Sequence, residues 1–72
     1  MAQLKDIKML GASVQEAVVE GIVAVDILQA EYRGEQFLKG EFNPTGTALS
    51  FERWELVEAP GEYTNTWTIR YF

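Results

Sequence analysis

The last ten residues constrain the fold more than any other part of the chain. Tyr63, Asn65, Trp67, Ile69 and Tyr71 alternate with Thr64, Thr66, Thr68 and Arg70, which is the period of a β-strand with one buried face. A sheet is therefore required. In the segment before it, Leu49 and Phe51 share one parity while Trp54 and Leu56 share the other. A strand that changes face in mid-run contains a bulge or bends between layers. Pro60-Gly61 separates these two segments as a turn, and Asn43-Pro44-Thr45-Gly46 marks another turn upstream.

The N-terminal half admits two readings. Ser13-Val14-Gln15-Glu16 has the capping-box form, so a helix is expected to begin at Val14. In the favoured reading Gly21 takes the left-handed position just past a two-turn helix, and Ile22 to Tyr32 is a strand. In the alternative, Val14, Val18, Ile22, Val25, Leu28 and Tyr32 form one apolar stripe, and a single helix runs over 14–32. The abundance of Val and Ile favours strand. A long helix would also carry a second apolar stripe, Val19, Val23 and Ile27, on its far side. Tyr32-Arg33-Gly34-Glu35-Gln36-Phe37 reads as a hairpin turn flanked by aromatics. Residues 22–32 also change parity part-way, as a curved sheet requires. The expected fold is β-rich α+β, a short N-terminal helix plus a curved antiparallel four-stranded meander or small barrel. The alternative is one long helix over 14–32 packed on a three-stranded antiparallel sheet.

With 72 residues the chain makes a single domain, 1–72. A core of this size supplies only about 3–5 kcal/mol unaided. The chain has no Cys and no His, so neither disulfides nor the common zinc ligand sets can reinforce it. Self-association or an unusually good core must compensate. No window approaches the length of a membrane span, and the first residues lack a signal-peptide pattern, so a soluble, cytoplasmic protein without membrane attachment is expected. Six basic residues against eleven acidic ones give a net charge of −5, which disfavours direct binding to nucleic acid or anionic lipid.

Catalytic chemistry finds little support. Without histidine the usual general base is missing, and Ser13 and Ser50 have structural roles as a cap and a strand residue. Glu52, Glu55, Glu58 and Glu62 are the carboxylates from which an acid/base pair would have to be drawn, but such a pair needs an enclosing pocket that a chain this short rarely forms beside a core. No calcium loop and no phosphate-cradling glycine pattern occurs. The expectation is a non-enzyme without metal or cofactor. Trp54, Trp67 and Tyr71, with Lys39 and Arg70, would suit a base-stacking platform, but their alternation with polar residues and the acidic surroundings favour core packing.

What remains is recognition of protein. The expected function is that of a small acidic, non-catalytic protein-binding or assembly subunit whose partner is another protein, a homo-oligomer, or both. The candidate interface is Tyr63, Trp67, Tyr71 and Phe72, because the segment from Tyr63 to Phe72 has no Lys or Pro to block pairing if it lies at a sheet edge. The alternative is an acidic inhibitor that mimics nucleic acid and occludes a nucleic-acid-binding protein. Its candidate face is Glu16, Glu20, Asp26 and Glu31, a stretch without a basic residue.

Overall fold

The computed structural model describes residues 1–40, 42 and 51–72. Among the described residues, four strands and one helix run in the order β1 (Gln3–Leu10), β2 (Ser13–Val23), α1 (Ile27–Lys39), β3 (Trp54–Glu58) and β4 (Thr66–Tyr71). The strands form one antiparallel sheet in the order β1-β2-β4-β3. Strand dominates helix, as expected, but three features differ from the sequence reading. The helix lies in the middle of the chain, the strand order is not that of a meander, and the sheet is open with β1 and β3 at its edges. The segment read as an edge, Tyr63 to Phe72, instead contributes the central strand β4.

Residues 14–23 are strand, which overturns both the short helix beginning at Val14 and the long helix over 14–32. Two irregularities explain why they looked helical. Against β1, partners shift from Lys8↔Glu16 to Met9↔Val14; against β4, they shift from Val19↔Ile69 to Ile22↔Trp67. The second shift leaves Glu20 and Gly21 opposite Thr68, with Gly21 at φ +70°, the left-handed glycine of a β-bulge. Each bulge flips the face of the residues beyond it. Val14 and Ile22 thus point to one side of the sheet and Val18 to the other, although four-residue spacing had aligned all three.

The helix begins where a second capping sequence lies, Asp26-Ile27-Leu28-Gln29. The Asp26 carboxylate accepts from the Gln29 amide at 2.8 Å, and Gln29 Oε1 accepts from the Val25 amide at 2.9 Å. Ser13 instead stands just after a two-residue hairpin turn in which Gly11 has φ +61°, the conformation a tight β-hairpin asks of glycine. The strand read over Ile22 to Tyr32 ends at Val23, and its residues from Ile27 on belong to the helix, as do residues 32–37, read as a hairpin turn. The Pro60-Gly61 turn lies between β3 and β4, where Thr64 Oγ1 accepts from the Gly61 amide at 2.9 Å. Leu49, Ser50 and the Asn43–Gly46 turn lie outside the described residues.

The core forms between α1 and one face of the sheet. β2 contributes Ala17, Val19 and Ile22, the segment just past it Ala24, β4 contributes Ile69 and Tyr71, and α1 contributes Ala30 and Leu38. Ala30, Gly34 and Leu38 fall four apart, on the helix face turned to the sheet. Gly34 is there for space: a Cβ would sit 2.9 Å from Ile22 Cδ1 and closer still to the Tyr71 hydroxyl. That hydroxyl donates to the Glu31 carbonyl at 2.7 Å, so the central strand is pinned to the helix backbone. Burial, and after it the charges of Glu31 and Glu35, pushes the Tyr71 phenol well above its ordinary range. Among the described residues no helix is long and apolar enough to cross a membrane.

Candidate protein interface

Cross-strand pairing sorts the side chains. Tyr71 points to the helix, so its partner Trp54 does too, as do Leu56 and its partner Ile69. The other face is not covered by α1 and carries the row Asp6–Val18–Arg70–Glu55 across all four strands. Arg70 lies at its centre: Nη1 donates to Glu55 Oε1, and Nε sits 3.3 Å from Glu16 Oε1. The Nε approach lacks hydrogen-bond geometry and, among the described residues, leaves that buried N–H without a partner, so it is a charge contact only. Val18 and Thr68 are buried beneath these long side chains. Pairing also assigns Lys8, Glu16, Glu20 and Glu58 to this face.

Two other surfaces carry apolar groups. On α1, Leu28 and Tyr32 lie four residues apart and are 71% and 61% exposed, on the side away from the core, and Val25, just before the Asp26 cap, is 83% exposed. Along β3, Trp54, Leu56 and Val57 also remain open to solvent. The backbone of β3 shares this exposure. Arg53 and Phe72 exchange both hydrogen bonds, Phe72 N to Arg53 O at 2.9 Å and Arg53 N to Phe72 O at 3.4 Å. Antiparallel pairs alternate between bonded and non-bonded, so Trp54 and Leu56 turn their N–H and C=O groups away from β4.

The residues chosen from sequence scatter over this structure. Tyr63 is 92% exposed in the β3–β4 loop. Trp67 is half-buried and its Nε1 donates to the Ala24 carbonyl at 3.0 Å. Tyr71 belongs to the core, and Phe72 is half-buried with the Arg53 guanidinium 4.1 Å above its ring. These four do not make one patch. The acidic set divides as well. Glu16 and Glu20 sit on the open sheet face, Asp26 caps the helix, and Glu31 lies within it. Burial and the neighbouring Glu35 push the Glu31 carboxyl up, whereas a hydrogen bond from Lys39 holds Glu35 down. The residues that sequence reasoning passed over are Trp54, weighed as a stacking or core group, and Leu56, read only as a strand residue of the same parity. Their position beside the change of parity was the signal that they lie apart from the main core.

Concave features are shallow. One open depression of about 460 Å³ lies along Lys8, Met9, Leu10, Glu16 and Phe72, and another of about 550 Å³ lies between Met1, Tyr32, Gln36 and Phe37. Neither brings two carboxylates together. Among the described residues no group of three or more acidic side chains is placed to hold a metal ion. Compared with protein-family models, with curated proteins and with solved structures, the chain matches none, so any functional reading rests on these surfaces.

Proposed function

We propose that this chain is a small acidic, non-catalytic protein-binding or assembly subunit. The observation that supports it is the display of large apolar side chains, Leu28 and Tyr32 along α1 with Val25 just before its cap, and Trp54, Leu56 and Val57 along β3. Apolar residues scattered singly over a surface are ordinary, whereas aligned ones mark places where another surface docks. The test is a photo-crosslinking amino acid placed singly at Leu28 and at Trp54, with Lys5 on the opposite edge as control, in the cells that make the protein. Discrete protein adducts at Leu28 or Trp54 and none at Lys5 are expected. Equal labelling at all three positions refutes the reading.

A second reading has one observation in its favour. Asp6, Glu16, Glu20, Glu55 and Glu58 share the open sheet face with few basic groups, as an occluder of a nucleic-acid-binding protein would require. Binding of that kind weakens steeply with salt. Crosslinked partners that release nucleic acid on binding, with an affinity lost between low and physiological salt, would favour it over apolar docking.

A further inference from the structure

The two edges of the sheet are built differently. β1 is interrupted at two places, between Leu4 and Asp6 and between Lys8 and Met9, and presents Lys5 and Lys8. Bulges and lysines are what natural sheets use to prevent edge pairing. β3 holds neither Lys nor Pro. It is regular from Trp54 to Leu56, and its irregularities flank that stretch, one at Val57 and one just before the strand, where the Glu52 and Arg53 amides both donate to the Phe72 carbonyl. Over that regular stretch the outward N–H and C=O groups belong to Trp54 and Leu56, the residues whose apolar side chains are also exposed on the helix side.

We infer that β3 pairs antiparallel with β3 of a second copy of this chain, about a two-fold axis at Trp54, so that two four-stranded sheets become one. This rests on the protein-binding reading and names its partner. The short sequence Arg53-Trp54-Glu55 is its own complement when reversed. With the axis at Trp54, Arg53 of each copy stands opposite Glu55 of the other, so two opposite-charge pairs flank a Trp–Trp contact. The neighbouring registers lose this. An axis at Glu55 sets that carboxylate against itself, and an axis at Leu56 sets Trp54, on the helix side, opposite Glu58, on the open face. Isologous pairing of this kind closes at two copies and, of the described strands, leaves the guarded β1 edges free.

Because the chain has no cysteine, the register can be read with single Cys substitutions. Residues facing each other in a bonded antiparallel pair have Cα atoms about 5.5 Å apart, inside the disulfide range. In a glutathione redox buffer Trp54→Cys should form disulfide dimer about ten-fold faster than Leu56→Cys or Lys5→Cys, a difference that collisions alone would not produce. The unsubstituted chain should rise in sedimentation equilibrium from 8.2 kDa toward twice that mass. A single short strand pair covers less than the ~1,200 Å² of stable interfaces, so half-association on the order of 100 µM is expected. A mass that stays monomeric to ~500 µM, or equal crosslinking at the three positions, overturns the inference. If the chain is monomeric but a crosslinker at Trp54 captures a different protein, the second copy is wrong and protein binding stands. If neither a copy nor another protein is captured at Trp54 or Leu28, both fail.

Discussion

Replacing Gly34 with alanine should destabilise this protein, although the same change inside most helices stabilises by about 1 kcal/mol. Gly34 occupies the middle of α1 with helical backbone, so the propensity gain is fully available. Opposing it, the new methyl would stand 2.9 Å from Ile22 Cδ1 and 3.0 Å from Tyr71 Cζ, with the hydroxyl oxygen nearer still. Both neighbours are 1% exposed and neither has solvent to move into. Overpacking of this kind costs about 1–3 kcal/mol, and so close an approach to the Tyr71 hydroxyl puts this site at about 2–3 kcal/mol, leaving a net loss of roughly 1–2 kcal/mol. Tyr71→Phe alone removes the hydrogen bond to the Glu31 carbonyl, at about 0.5–1.5 kcal/mol, and also removes the atom that the methyl meets first. In the Tyr71→Phe background Gly34→Ala should therefore be near neutral, giving a coupling of about 1–2 kcal/mol in the double-mutant cycle. Urea unfolding tracked by the fluorescence of Trp54 and Trp67 measures all four corners. Thermal melts offer a second readout, at about 4–8 °C for each kcal/mol in a domain of this size. A Gly34→Ala protein as stable as the parent, or four corners that add within about 0.5 kcal/mol, would show that the helix does not pack on Tyr71.

Three other perturbations probe the caps, the glycines and the buried phenol. Asp26→Ala should cost about 1 kcal/mol by uncapping α1, whereas Ser13→Ala should change stability by less than about 0.5 kcal/mol; the reverse order in denaturant melts would restore the helix start at Val14. Gly21→Ala should cost more than Gly11→Ala, because both force alanine to positive φ, at about 1–2 kcal/mol, but only at Gly21 would the Cβ also meet the Met1 carbonyl, at 2.5 Å. Equal losses in thermal melts would place Met1 elsewhere. Stability should also fall as pH rises past about 10, the ordinary tyrosine value. The Tyr71 phenol is pushed up in the folded state, so above that pH the unfolded chain has lost a proton the folded one retains. The contribution is whole below about pH 10 and is lost progressively as the pH climbs toward the folded value. Tyr71→Phe should flatten this alkaline limb in pH-dependent urea melts, and an unchanged slope would mean that Tyr71 is not buried.

The C-terminal strand was the best-determined element in the sequence. Trp67, Ile69 and Tyr71 do share the buried side and Thr68 and Arg70 the other, because side-chain alternation is a local property of an extended backbone. The Pro60-Gly61 turn and the dominance of strand were legible for the same reason. The place of that strand in the sheet was not legible. A strand that serves as an edge and one that sits in the centre have the same period, and only the long-range pairings of β4 with both β2 and β3 made it central. That moved the candidate interface away from Tyr71 and Phe72 and onto Trp54 and Leu56.

The N-terminal half shows what local pattern cannot carry. Ser13-x-x-Glu16 and Asp26-x-x-Gln29 both have the capping form, and Gly21 suits a helix end or a bulge equally well. Which option prevails depends on the rest of the molecule. β2 gains partners on both of its edges, and a helix at 27–39 can place Ala30, Gly34 and Leu38 against Ile22 and Tyr71. The sequence by itself determined an acidic chain without cysteine or histidine, rich in strand, with a half-buried C-terminal strand, because those are matters of composition and of nearest neighbours along the chain. The tertiary structure decided which glycine bulges, which cap starts the helix and which strand is left at the edge, because each depends on contacts between residues distant in sequence.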